Sequence, residues 1–254
     1  LTDLVDFASK RQLKIGSTQT REEEILGANN KEELARLYKA LIALNIEAAK
    51  KKGVILKDEA SCFVEGQLKV GKDVRIGSNV TIKGSVSLGN NVCIESNVVL
   101  CNTKVGDDTT IKDFCSIEDS VLAKNVEVGP FARLRNGAVL DDSAKVGNFV
   151  EIKKSKIGQG SKANHHAYLG DANIGKKVNV GAGTITCNYD GKLKHKTKIE
   201  DGSFIGTNSS LVAPLKIGKK AYVAAGSVIT TDVPSGSLAF GRSKQNNKKN
   251  WKKK

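Results

Sequence analysis

Along most of this chain an aliphatic residue recurs at every sixth position: Val64, Val70, Ile76, Ile82, Leu88, Ile94 and Leu100, then, after a five-residue slip to Val105, Ile111 and Ile117. The pattern returns as Val128, Leu134, Leu140, Val146 and Ile152, and again as Ile199, Ile205, Leu211, Ile217, Val223 and Ile229. Two places before most of these stands a small or branched residue, such as Val74, Val80, Cys115, Ala132, Ala144, Ser209 or Ala221. A helix repeats at 3.6 residues and a strand at 2.0. A period of six fits neither. It predicts a hexapeptide solenoid, in which each repeat is one short strand and one turn, and three faces close a coil of about 18 residues. A β-sandwich is the ordinary alternative, but its strands come at about 8–12 residues and are not locked to six.

The predicted solenoid runs from about residue 58 to 235, or roughly nine or ten coils. Glycine follows many of the aliphatic positions, among them Gly71, Gly77, Gly89, Gly106, Gly129, Gly147 and Gly218. The expectation is that these glycines sit at corners with positive φ. The fold class is therefore all-β, a parallel β-helix of hexapeptide repeats.

The first fifth has a different pattern. Thr2 to Gln12 reads as a short helix. Asn30 reads as the N-cap of a second helix running to Lys52, with Glu32 and Glu33 in its first turn, Lys50 to Lys52 in its last, and Gly53 ending it. Leu34, Leu37, Leu41, Leu44 and Ala48 form its apolar stripe. Such a helix is about 33 Å long, and the expected partner for its stripe is a domain lying upstream. The chain begins with Leu1 and contains no methionine, which points to a piece of something longer. The resulting division is 1–29 as the remnant of an upstream domain, 30–52 as a linker helix, 53–241 as the β-helix and 242–254 as a basic tail.

Composition narrows the classes. No segment approaches the ~20 apolar residues of a membrane span, and no secretory signal is visible, so no stable membrane association is expected. The five cysteines, Cys62, Cys93, Cys101, Cys115 and Cys187, are scattered and lack zinc-ligand spacing. They read as reduced thiols in a cytoplasmic protein. Formal net charge is +14, but one tryptophan gives no stacking surface, so nucleic acid is not an expected partner.

Candidate chemistry gathers where the rhythm fails, between Thr186 and Lys196. Interruptions of a solenoid tend to carry its binding residues. Just before lies KANHHAYLGD, residues 162–171. In the six-residue register Ala163 and Ala167 point inward, so His165, His166 and Tyr168 face outward. Arg133, Arg135, Lys153 and Lys154 lie one to two coils earlier, and stacked cations on one face suit a phosphate. A merely solvated basic face is the bland reading of the same residues.

The segments GPFARLRNGA, GNFVEIKKSKIGQGSKANHHAYLGDANIGKKVNVGAGTITCNYDGKLKHKT and LVAPLKIGKKAYVAAGS resemble the acetyltransferase half of the bacterial bifunctional glucosamine-1-phosphate acetyltransferase / N-acetylglucosamine-1-phosphate uridyltransferase. Gly27–Asn30 and the helix after them extend the resemblance to essentially the whole chain. The GAGTITCNYDG string is its most specific part.

The resemblance implies a left-handed β-helix assembled as a homotrimer, with sites where subunits meet. It implies acetyl transfer from acetyl-CoA to the amine of glucosamine 1-phosphate, on the route to the sugar nucleotide of cell-wall and lipopolysaccharide synthesis. His165 matches the general base, a role suited to an imidazole near neutral pH. Arg135 and Lys153 match the sugar-phosphate binders, and Tyr168 and Asn179 the other sugar contacts. Lys194 is expected to reach a neighbouring subunit's site. Ala182, Asn188, Tyr189, Thr207, Ala225 and Arg242 match acetyl-CoA contacts. His166 replaces the usual apolar residue, Thr207 the usual serine and Asn136 a proline. Asn29 matches a magnesium-linked residue of the uridyltransferase site, but the aspartate, glycine-rich loop and lysine of that site are missing, so no uridylyl transfer is expected of this chain by itself. The basic tail, with lysines 244, 248, 249 and 252–254, joins Arg242 as a candidate for CoA phosphates.

Two rivals remain on the sequence: a solenoid acyltransferase with another acceptor, and a carbonic-anhydrase-like metal enzyme using three histidines. Against the second, neighbouring His165 and His166 diverge on a strand, and His195 is placed in a mobile loop.

Overall fold

The computed structural model describes residues 2–21, 24–249 and 251. The chain divides into two units, Leu1–Leu44 and Asn45–Lys254. In the first, a helix spans Thr2–Lys10, and a longer helix, Lys31–Lys51, begins there and ends in the second unit. Asn30 caps it as expected: its Oδ1 accepts from the Glu33 N–H at 2.8 Å, and Glu33 returns bonds to the Asn30 side chain (3.0 Å) and the Asn29 N–H (2.7 Å). This reciprocal arrangement satisfies donors that a helix start leaves open. The buried face at the other end runs through Ile46 and Ala49, not through the predicted Ala48. The cause is local, because Asn45 Nδ2 donates to the Val64 carbonyl at 2.8 Å and turns that face onto the first coil.

The second unit is a left-handed parallel β-helix. Among the described residues, strands of two to four residues form three parallel sheets of 11, 10 and 9 strands, each sheet taking every third strand up to the last coil. In the first sheet Thr110, Glu127, Lys145, Lys162 and Asn179 succeed one another in register, steps of 17 or 18 residues. All the predicted inward positions are buried except Val70, which is half-buried. Leu122, Ile157 and Ile174 join them. These three and Val105 all lie on the third sheet, five residues after an aliphatic position of the second. The slips therefore mark one short corner, repeated. Small inward residues pack beside the aliphatic ones, and buried hydroxyls bridge coils: Ser155 Oγ donates to the Leu169 carbonyl at 3.1 Å and Ser161 Oγ to that of Gly175 at 2.6 Å.

The glycines require a correction. Of those named above only Gly129 has positive φ (99°). The others are where the next coil comes closest. A Cβ on Gly106 would stand 2.7 Å from the backbone of Ala123, and one on Gly147 would stand 2.0 Å from the Asn164 carbonyl oxygen. Positive φ occurs two positions later, just before the small inward residue, at Asn79, Asn91, Asn97, Asp108, Phe114, Phe131, Phe149 and His166 among others. Asn and Asp tolerate that conformation through local hydrogen bonding. The bulky residues there are set by contacts described next.

Candidate active site

The corner between the first and second sheets organises the site. The strand Lys162–His165 brings His165 to this corner, with Ala163 and Ala167 buried and His165 and His166 exposed. Asn148 is the register partner of His165. Two residues before His165, Ala163 pairs with Val180, which pairs with Ile205, which pairs with Val223. Asn148, His165, Ala182, Thr207 and Ala225 thus hold the same corner position on successive coils. The backbone ties the column together, with Asn208 N donating to Ala182 O at 2.7 Å and Gly226 N to Thr207 O at 2.8 Å. Four residues expected to contact reactants therefore lie along one edge.

His165 Nδ1 lies 2.7 Å from Asn148 Oδ1. His166, at φ 43°, stacks its ring on Phe149 at 5.0 Å. Phe149 stacks in turn on Phe131 (5.2 Å), and Phe131 on Phe114 (4.8 Å). These four rings share the left-handed position of one corner, which accounts for the departure at His166: it ends an aromatic column.

The second sheet carries the cations. Arg135 (on Arg133–Arg135), Lys153 (on Glu151–Lys153) and Gly170 (on Tyr168–Gly170) are in register. Arg135 Nε donates to Glu151 at 2.6 Å and its Nη1 to Asn136 Oδ1 at 3.5 Å, which fixes the fork. The Tyr168 ring lies over Gly170, where a Cβ would stand 2.5 Å from the hydroxyl. The Lys194 ammonium is a neighbour of that of Lys153. That neighbour, with partial desolvation and Arg135, holds the Lys153 ammonium below the usual lysine value. Three cations crowded at one place favour an anion among them. Lys194, expected from the sequence to reach a neighbouring subunit's site, neighbours Lys153 of its own chain.

The loop itself is pinned. Thr186 takes an aliphatic position, and this is why the rhythm fails: its hydroxyl donates to Gly170 O at 3.0 Å and accepts from Gly170 N at 2.8 Å. Register partners across the loop, Asn179 and Phe204, are 25 residues apart. At its base the buried Asn188 donates to Asp171 at 2.6 Å. At its tip Asp190 accepts from the Lys192 and Leu193 N–H groups (2.8 and 2.7 Å) and contacts His195 Nε2 at 2.7 Å. The Leu193 N–H, His195 and the Lys192 N–H hold the Asp190 carboxyl far below the usual carboxylate range. His195, expected in a mobile loop, is in contact with Asp190 in this structure. Tyr189 is exposed, its hydroxyl donating to Gly191 O at 2.6 Å.

The remaining expected residues lie elsewhere. Asn179 is on the first sheet beside Lys162, so one chain does not bring it to the face holding Arg135, Lys153 and Tyr168. Arg242 lines a groove of about 510 Å³ with Ala224, Leu238, Phe240 and Lys244. Lysines 252–254 are outside the described residues. Asn29 is exposed in the first unit. Magnesium seeks octahedral oxygen ligands that include carboxylates, and a lone amide does not fit it. Among the described residues no group of three or more His, Cys, Asp or Glu side chains could hold a metal ion. With His166 on Phe149 and His195 on Asp190, the three imidazoles do not converge. Sequence reasoning missed Asn148, Glu151, Asp171 and Asp190. The first was readable as the residue one coil, 17 positions, before His165.

The five thiols are free, and burial pushes that of Cys115 up to about 11. Among the described residues no helix is long and apolar enough to cross a membrane.

A family profile described as "EIF2B subunit epsilon LbH domain" matches residues 47–152, and one described as "Hexapeptide repeat of succinyl-transferase" matches residues 196–231. "Bifunctional protein GlmU" of Thermosipho melanesiensis is 50% identical over 252 residues, 99% of this chain and 55% of that protein. Those of Acinetobacter baylyi and Idiomarina loihiensis are 48% and 51% identical, each over 100% of this chain and 56% of the relative. The chain thus spans little more than half the length of these relatives, corresponding to their C-terminal half. An Arabidopsis UDP-N-acetylglucosamine acyltransferase of known structure covers 70% of this chain and 69% of its own, with TM-score 0.54 and 20% identity, a likeness of fold.

Proposed function

Because the chain belongs to the GlmU family, we propose that it transfers acetyl from acetyl-CoA to the amine of glucosamine 1-phosphate. The observation that supports this reading is that Arg135 and Lys153 stand in register on the second sheet while His165 stands at the corner leading into that sheet.

In this reading the acceptor phosphate sits among Arg135, Lys153 and Lys194, while Tyr168 and Asn179 hold the sugar. Acetyl-CoA lies along the edge of Ala182, Thr207 and Ala225, near Asn188 and Tyr189, with its phosphates toward the groove at Arg242. The amine attacks the thioester carbonyl. A C–N bond forms and the C–S bond breaks. His165 Nε2 takes the amine proton and passes it to the departing thiolate, giving N-acetylglucosamine 1-phosphate and CoA. Asn179 and the cation cluster occupy different faces of the prism, which favours sites completed by a second copy in a homotrimer. The free thiols suit the reducing cytoplasm. Uridylyl transfer with magnesium belongs, in this reading, to the portion of the relatives that this chain does not span.

The test is release of free CoA thiol with glucosamine 1-phosphate, plain glucosamine and sugar nucleotides compared as acceptors. Turnover fastest with glucosamine 1-phosphate is the expected result. Preference for another amine or hydroxyl would give the chain to another solenoid acyltransferase.

A further inference from the structure

We propose that Asn148 is a positioning residue that holds His165 with its proton on Nδ1 and the Nε2 lone pair free for the acceptor amine. The inference rests on His165 being the base. Which imidazole nitrogen carries the proton is set by the hydrogen bond the other makes. The atom facing Nδ1 is the Asn148 carbonyl oxygen at 2.7 Å, an acceptor that requires Nδ1–H.

Three further features fix this pair. The dipeptide His165–His166 lies directly over Asn148–Phe149 in the preceding coil. His166 N donates to Asn148 O at 3.0 Å, and the His166 ring stacks on Phe149. The next residue of the corner column after His165 is Ala182, whose methyl cannot hydrogen-bond the imidazole. The absence of a side chain on Gly147, where a Cβ would stand 2.0 Å from the Asn164 carbonyl oxygen, lets the two coils approach closely beside this pair.

The choice of an amide has a chemical consequence. A carboxylate in its place would orient the ring equally well but would favour the imidazolium, which has no lone pair to offer. An amide oxygen sets the tautomer without that charge. His166 then has a role as well: by ending the Phe114–Phe131–Phe149 column it anchors the corner on which His165 stands.

The experiment joins ¹⁵N NMR of the His165 ring in the unmodified chain with steady-state kinetics of Asn148→Leu and Asn148→Asp. The expected spectrum at neutral pH shows Nδ1 protonated and Nε2 as the unprotonated nitrogen. Asn148→Leu should lower kcat about tenfold, the worth of one hydrogen bond, with KM for both substrates within about twofold. Asn148→Asp should keep most of kcat at high pH and move the acid limb of the kcat/KM profile to higher pH. A spectrum with Nε2 protonated, or Asn148→Leu indistinguishable from the unmodified chain in kcat, would overturn the inference. The ring spectrum does not depend on any variant folding. His165→Ala separates the two levels: its full activity would remove the base assignment itself, whereas its strong loss beside an unaffected Asn148→Leu would remove only the role of Asn148.

Discussion

Replacing His165 by alanine lowers acetyl transfer by about 10²–10⁴-fold, the usual contribution of a general base. The loss should fall on kcat, since in the proposed reaction the residue takes the amine proton and holds neither the phosphate nor the CoA arm. The fold survives, because the side chain is exposed and bonds only outside the core, to Asn148 on the neighbouring coil. His166→Ala is much milder for activity and removes one stacked ring pair, worth about 0.5–1.5 kcal/mol. Parallel kinetics and thermal unfolding of the two variants check both statements. A reversed order would mean that the outward position had been assigned one residue off.

Arg135→Ala and Lys153→Ala each weaken use of the phosphorylated acceptor by about 10–150-fold, the value of a charge-assisted contact of ~1.5–3 kcal/mol. The two should not be equal. Arg135 is paired with Glu151, so its removal also leaves a carboxylate beside the phosphate position. Loss of Lys153 leaves Lys194 close by and relieves a like-charge contact. Arg135→Ala therefore stands at the upper end of the range. Plain glucosamine makes no such contact, and its slow turnover should hardly change. Measuring kcat/KM for both acceptors in each variant decides the matter, and equal losses would mean general damage to the site.

The solenoid was legible because its core is a periodic demand. A six-residue repeat of Ile, Leu and Val can satisfy only a coil that presents one inward position per short strand, and it did so at nearly every predicted residue. The site was legible in part. Arg135, Lys153 and Tyr168 share one sheet because 17 or 18 residues separate equivalent positions, a spacing visible in the chain itself. What could not be read is what depends on the distance between coils. The glycines after the aliphatic residues were expected to serve φ and instead serve close approach. The loop 188–196 looked like an excursion because no periodicity reports that Asp190 closes it and Asp171 fastens its base. Asn148 carries no motif of its own; it matters through the coil stacked on it.

The proposed reaction requires one geometry, a phosphate held by the second-sheet cations with the sugar amine at the corner histidine. A crystal of the chain soaked with glucosamine 1-phosphate reads it directly. The predicted density places the phosphate among Arg135, Lys153 and Lys194 and the amine nitrogen within about 2.6–3.2 Å of His165 Nε2, the reach of a general base. Density for the phosphate elsewhere, or an amine turned away from His165, would contradict it.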